Sequence, residues 1–203
     1  MAENGDGRRE RRERNRDAVI EAVLEIIAGG DLEPTVADVA ARAGVSARSI
    51  FRYFDDIDDL CRAGLARQRE RIDPILLREL DVTADDPPDA RVAAVVDQRV
   101  ELFETMGHVG EFARHRAPFQ PLIADQLTFA RAVLRDRLAR ACEPELADLP
   151  PEQRDAIVAA ADVMCSFEAY RLLRRDHNRS REDAARVLRT ALLSLVTAGV
   201  VAR

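Results

Sequence analysis

The stretch from Thr35 to Phe54 constrains this chain most. Thr35 precedes a short apolar-periodic segment and has Asp38 three residues on. That is the arrangement of a helix N-cap answered by an acidic side chain at the third helical position. The spacing predicts a helix over 36–43 that buries Val39, Ala40 and Ala43. Gly44 stops it, Val45 supplies an apolar plug, and Ser46 caps a second helix over 47–53. Ile50 and Phe54 then point inward, while Ala47, Arg48, Ser49 and Arg52 point outward. Two short helices joined by a tight glycine turn form a helix-turn-helix pattern.

The remaining chain reads as helix throughout. Val19, Ile20, Val23, Leu24 and Ile27 recur at spacings of three and four, which predicts a helix over 15–28 stopped by Gly29-Gly30. Before it, residues 1–13 lack an apolar period and carry Arg8, Arg9, Arg11 and Arg12, so a flexible arginine-rich arm is expected there. A fourth helix should begin near Asp55-Asp56 and run towards Ile72 with Gly64 inside it. Pro87-Pro88 mark a linker over 81–89. Further helices are expected over 89–106 (ended by Gly107), 109–115, 121–142, 151–175 and 181–200, the last capped by Ser180. No strand pattern of useful length appears. The expected fold is all-α: the arm at 1–13, a three-helix bundle with the helix-turn-helix at 14–60, and a larger helical domain over 61–203.

Composition narrows the function classes. Of the 203 residues, 47% are hydrophobic and 33% charged, as in an ordinary globular protein. No apolar run reaches the roughly 18 residues needed to span a bilayer, and no secretory h-region follows the arginines, so a cytoplasmic protein without a membrane partner is expected. Cys61, Cys142 and Cys165 are far apart and suggest neither a disulfide framework nor a metal site. His108, His115 and His177 form no ligand constellation. With no phosphate loop, HExxH motif or nucleophile elbow, neither an enzyme nor a cofactor is expected. The net charge of −6 gives no hint of nucleic acid, but its distribution does: Arg42, Arg48 and Arg52 form a basic group just before the acidic run Asp55-Asp56-Ile57-Asp58-Asp59.

The residues Thr35-Val36-Ala37-Asp38-Val39-Ala40-Ala41-Arg42-Ala43-Gly44-Val45-Ser46, followed by Ile50-Phe51-Arg52-Tyr53-Phe54, resemble the TetR family of transcriptional regulators. The resemblance covers about 15–60; the C-terminal region is similar only in architecture. It implies a homodimer on a palindromic double-stranded DNA operator, most often a repressor released by a small-molecule effector, with the last two helices forming the dimer interface. The sequence departs from the pattern twice. Phe51 stands where members usually have a phosphate-donating Tyr, and Ile57 where many have Lys.

The candidate DNA-contacting residues are Thr35, Ser46, Ala47, Arg48, Ser49, Phe51, Arg52 and Tyr53. Arg48 lies in the first turn of the presumed recognition helix, where a guanidinium reaches guanine O6 and N7. Thr35, Ser46, Arg52 and Tyr53 are phosphate or base candidates, Ala47 and Ser49 can meet base edges, and Phe51 is a packing residue. In the larger domain, Phe103, Met106, Phe112, His115, Phe129, Met164, Phe167 and Tyr170 are candidates for an effector cavity, against the plainer reading of ordinary core. Leu188, Ala191, Leu192 and Leu195 make a helical stripe expected at the dimer interface. Two other readings stay open at this stage: an activator or co-regulator whose C-terminal domain binds a protein, and a helical enzyme with an incidental helix-turn-helix.

Overall fold

Glu3–Ala28 forms one helix, α1, in the computed structural model, which describes the backbone of residues 3–201 and the side chains of 9–197. The arm expected at 1–13 is therefore helical from Glu3 onward. From Arg8 to Ala28 the chain has no Gly or Pro, and arginine and glutamate are good helix formers. Successive turns are tied by Arg9–Glu13 at 3.2 Å and Glu10–Arg14 at 3.8 Å. Residues 1 and 2, and the side chain of Arg8, lie outside the described residues. Gly29 and Gly30 close the helix by donating to the Glu25 and Ile27 carbonyls, both at 2.9 Å, with Gly30 at φ 98°.

The helices that follow are α2 (Val36–Ala43), α3 (Ala47–Ile50), α4 (Ile57–Leu76), α5 (Pro88–Arg116), α6 (Pro121–Leu146), α7 (Pro151–Met164), α8 (Phe167–Arg171) and α9 (Arg181–Val201). A 3₁₀ turn at Ala117–Phe119 precedes α6 and a π turn at Leu172–Asp176 extends α8. The fold is all-α, with the helix-turn-helix near its N-terminus. The two segments expected at 89–106 and 109–115 are joined in α5, but Gly107 (φ 46°, ψ −139°) breaks its course where the sequence placed the stop.

Two compact units result. The first runs to Ile72 and takes in Met106–Ala124; the second combines Asp73–Thr105 with residues from Asp125 onward. In the first, α1 packs on α2, and Val19, Val23, Ile27, Val39, Ile50, Phe54 and Leu60 are buried. Gly64 has a packing reason: a Cβ there would stand 3.2 Å from Val23 Cγ1 on α1.

In the second unit α7 packs on α9. The single helix expected over 151–175 breaks at Cys165-Ser166. The Ser166 hydroxyl accepts from the Ala169 amide at 3.1 Å and so caps a new helix instead of continuing the old one. Of the four-residue stripe expected at a dimer interface, Ala191 and Leu195 are half-buried and two positions are corrected. Leu188 and Leu192 are buried within the subunit's own core. The exposed positions of α9 are Arg181, Glu182, Arg186, Val187, Thr190 and Ser194 among the described residues.

Candidate nucleic-acid interface

The helix-turn-helix is held by two caps and one left-handed residue. Thr35 is the N-cap of α2: its hydroxyl accepts from the Asp38 amide at 3.2 Å and donates to Asp38 Oδ2 at 2.5 Å. Asp38 in turn accepts from the Thr35 amide at 3.3 Å, closing a reciprocal capping box. Gly44 then takes φ 65°, ψ 31°, and its amide donates to the Ala40 carbonyl. Val45 donates to the same carbonyl at 3.0 Å, which turns the chain into Ser46. Ser46 Oγ accepts from the Ser49 amide at 3.2 Å and lies 2.9 Å from Ser49 Oγ.

The second helix was expected over 47–53, but α3 ends at Ile50. Residues 51–53 continue as tighter turns, with Arg52 donating to the Ser49 carbonyl at 3.3 Å and Tyr53 to the Ile50 carbonyl at 2.9 Å. This winding delivers Phe54 to the core, where it is 3% exposed. It leaves Thr35, Ser46, Ala47, Arg48, Phe51 and Arg52 exposed, and Ser49 and Tyr53 half-buried. Phe51 is 56% exposed, so this ring is available to an outside surface and does not pack in the bundle. Neither the Arg48 nor the Arg52 guanidinium has a hydrogen-bond or ion-pair partner among the described residues. The neighbouring arginines do have partners. Arg42 pairs with Glu25 at 3.3 Å, Arg12 stands 5.9 Å over the Tyr53 ring, and Arg16 stands 5.1 Å over Phe54. Thus α1 brings basic side chains to the aromatic end of α3.

The acidic run is engaged locally. Asp56 Oδ1 accepts from the Asp59 amide at 2.7 Å, and Asp59 accepts from the Asp55 amide at 3.2 Å and pairs with Arg62 at 3.4 Å. Asp58 pairs with Arg116 of α5, a partner 58 residues away that no local spacing reveals. Ile57 is half-buried.

The candidate effector residues divide between the two units. Phe103, Phe167 and Tyr170 cluster in the second unit, with Phe103–Phe167 centroids 5.6 Å apart at 84° and Phe103–Tyr170 5.8 Å apart at 43°. The Tyr170 hydroxyl donates to Glu104 at 2.5 Å, and Arg174 donates to the same carboxylate at 3.0 Å. Burial alone would raise Glu104, but these two hydrogen bonds outweigh it and hold the carboxyl below its ordinary value. Phe129 and Met164 of this unit are exposed. Met106, Phe112 and His115 belong to the first unit, where Met106 is half-buried, Phe112 is buried beneath the Arg116 guanidinium, and His115 is exposed.

Sequence reasoning missed the buried arginines. Arg99 is 2% exposed and donates to the Cys165 and Leu134 carbonyls, both at 2.9 Å, and to Asp162 at 2.7 Å. The available signal was position: Arg99 falls among Val95, Val96, Val100 and Phe103, on the apolar stripe of α5. Among the described residues there is no group of His, Cys, Asp or Glu fit to hold a metal ion, and no helix long and apolar enough to cross a membrane.

An all-α chain with this helix-turn-helix belongs to a recognised structural class. Residues 19–63 match the family of bacterial regulatory proteins called the tetR family. Over 93 residues, 45% of this chain, the sequence is 36% identical to the HTH-type transcriptional repressor LfrR of Mycolicibacterium smegmatis; the match spans 47%, about half, of that relative. Two solved structures share the fold over nearly the whole chain. One, from Rhodococcus sp., is described as a TetR-family transcriptional regulator; it is 20% identical with a TM-score of 0.62, covering 91% of this chain and 99% of its own. The other, a TetR transcription regulator from Haloarcula marismortui, is 18% identical with a TM-score of 0.63, covering 92% and 98%. Residues 19–63 thus match the helix-turn-helix segment of the tetR family, and the chain shares its overall fold with these two structures.

Proposed function

We propose that this protein is a cytoplasmic transcriptional regulator, not an enzyme, which binds a palindromic double-stranded DNA operator as a homodimer and is released by a small-molecule effector. The observation that carries the reading is the pair of unpaired, exposed guanidiniums of Arg48 on α3 and Arg52 in the turn that follows it, presented beyond a fully capped turn. A guanidinium in the first turn of a recognition helix reads guanine bidentately, and one a turn later reaches a phosphate or the next base. Ser46, Ala47, Ser49, Thr35 and Tyr53 surround them as positioning contacts, Thr35 through the amides of its cap because its hydroxyl is already engaged by Asp38. Phe51 offers a ring and no hydroxyl, so its contact is apolar. A relative of the matched segment is a repressor, which favours repression. Dimerisation through α7 to α9 is supported by the exposed apolar side chains Val163, Met164, Leu172 and Val187. The effector reading rests on the aromatic cluster of Phe103, Phe167 and Tyr170 beside Glu104.

The test is selection of bound sequences from random duplexes, followed by titration of Arg48→Ala on the selected site. A palindrome is expected, and the variant should lose about 1–3 kcal/mol and discriminate less between site variants. Failure to enrich any sequence, or an Arg48→Ala protein with unchanged preferences, would refute the reading.

A further inference from the structure

The second unit contains a cleft of about 240 Å³ between the chain that follows α4 and the C-terminal half of α6. Its polar lining includes Arg91, Arg137 and Arg140 together with Glu79 and Thr83. Arg91 and Arg137 are almost wholly buried, at 3% and 5% exposure. A buried guanidinium is stable only with close acceptors and counter-charge.

Arg91 has both. Its two Nη groups meet the Glu145 carboxylate, its Nε donates to the Asp86 carbonyl at 2.9 Å, and Nη1 also reaches the Ala141 carbonyl. Arg137 is less well served. Its Nη1 donates to the Leu76 carbonyl and to Gln98 Oε1 at 3.3 Å, and its buried Nε has no partner. The carboxylate facing it is Glu79, 3.8 Å from Nη2 and itself 74% exposed. Arg140 shares that same carboxylate at 3.8 Å and holds Asp136 at 2.8 Å. A solvated carboxylate at the outer limit of ion pairing is a weak counter-ion for a buried charge. A ligand anion lodged between Arg137 and Arg140 would make shorter, charge-assisted hydrogen bonds. Beside the cleft, and sharing Ala84 and Arg140 with it, lies an open shelf formed with Ala139, Glu143 and Pro144. Ala84, Ala139 and Pro144 offer hydrocarbon, while the Glu143 carboxylate pairs with Arg154 at 3.6 Å.

We propose that this cleft binds a small amphipathic carboxylate. The anionic group sits between Arg137 and Arg140, the hydrocarbon part lies over Ala84, Ala139 and Pro144, and Glu79 is the internal competitor that the ligand displaces. The site is separate from the Phe103–Phe167–Tyr170 cluster, and its occupancy does not depend on the helix-turn-helix reading.

Calorimetric titration of the full chain, without DNA, tests this with three probes: octanoate, its neutral counterpart octanamide, and inorganic phosphate. Octanoate is expected to bind, and the other two to bind at least about tenfold more weakly, since each lacks one half of the recognition. Glu79→Gln removes the competitor and should tighten octanoate. Arg140→Gln, at a position 60% exposed and so tolerant of change, should weaken octanoate about tenfold with an unchanged melting temperature. Absence of octanoate binding overturns the proposal. Equal binding of octanamide overturns the anion site, and equal binding of phosphate overturns the amphipathic class. Octanoate affinity unchanged in both variants places the ligand elsewhere and overturns the assignment.

Discussion

Gly44 is expected to set the stability of the helix-turn-helix through its backbone alone. Its φ of 65° and ψ of 31° lie in the left-handed region, and an added Cβ would meet nothing within 4 Å. Gly44→Ala therefore brings no clash, and only the conformation costs energy. Holding an L-residue left-handed costs about 1–2 kcal/mol. Losing glycine's freedom in the unfolded chain returns about 0.4–1 kcal/mol, so the net loss is about 1 kcal/mol. Gly44→Asn should lose less, because its side chain tolerates this region, and Gly44→Val should lose more, because β-branching crowds the backbone there. The chain forms two compact units, so a global melting curve is a blunt instrument. Amide exchange of peptides covering 36–50, read by mass spectrometry, reports the affected unit directly. Protection should fall in the order Gly, Asn, Ala, Val, while peptides from α7 and α9 stay unchanged. A flat series, or Ala more protected than Gly, would refute the left-handed turn as the element joining α2 to α3.

Four further outcomes are expected. Ile57→Lys should tighten binding to operator and scrambled duplex alike and steepen the salt dependence by about one phosphate's worth, since the new charge can position but not specify; an unchanged salt slope in a folded variant would place the position away from the backbone. Val163→Asp combined with Val187→Glu, both at exposed sites, should give a folded monomer by sedimentation, whereas an intact dimer would exclude the α7–α9 face as the interface. Glu104→Gln should flatten the acid limb of the stability curve: a carboxyl held below its ordinary 4.5 contributes stability that is full above that pH and lost as pH falls through its lowered value, so equal acid melting of the two proteins would contradict the Tyr170 and Arg174 hydrogen bonds. Burial raises Cys61 and Cys142 to about 12 and Cys165 to about 11, with nearby Asp56 adding to the rise at Cys61; iodoacetamide at pH about 8 should label none of them until the protein is unfolded.

What could be read from the sequence follows the range of the interactions. The capping box at Thr35, the turn at Gly44 and the cap at Ser46 each close within three or four residues, so residue type and spacing were enough to place them. The kink at Gly107 was legible for the same reason. The helical course of 3–13 was missed because charge without apolar period was taken as disorder, although the i,i+4 pairs that hold a helix were present in Arg9–Glu13 and Glu10–Arg14. The inward direction of Leu188 and Leu192 was not legible, because an apolar stripe looks the same whether it faces its own subunit or a partner. Asp58–Arg116 and Arg137–Glu79 join residues 58 positions apart in each case, and only the folded chain brings such pairs together.

The net charge of −6 and the basic character of the candidate DNA face are reconciled by where the carboxylates are held. Asp56 and Asp59 accept backbone amides at the start of α4, where the helix dipole favours negative charge, and Asp59 also holds Arg62. Asp58 is matched by Arg116. In α1, Asp17 and Glu21 pair with Arg67 at 2.9 and 3.2 Å, and Glu21 reaches Arg71 at 2.6 Å. Asp58, Asp59, Asp17 and Glu21 are each ion-paired close to their own positions, so their fields are short-ranged at physiological ionic strength, where screening acts over about 8 Å. The guanidiniums of Arg48 on α3 and of Arg52 just after it have no such partner among the described residues. Their field is left to act outward, so α3 and the turn after it present two free cations to an approaching phosphate backbone. Local pairing, and not the sum over the chain, decides the sign of this surface.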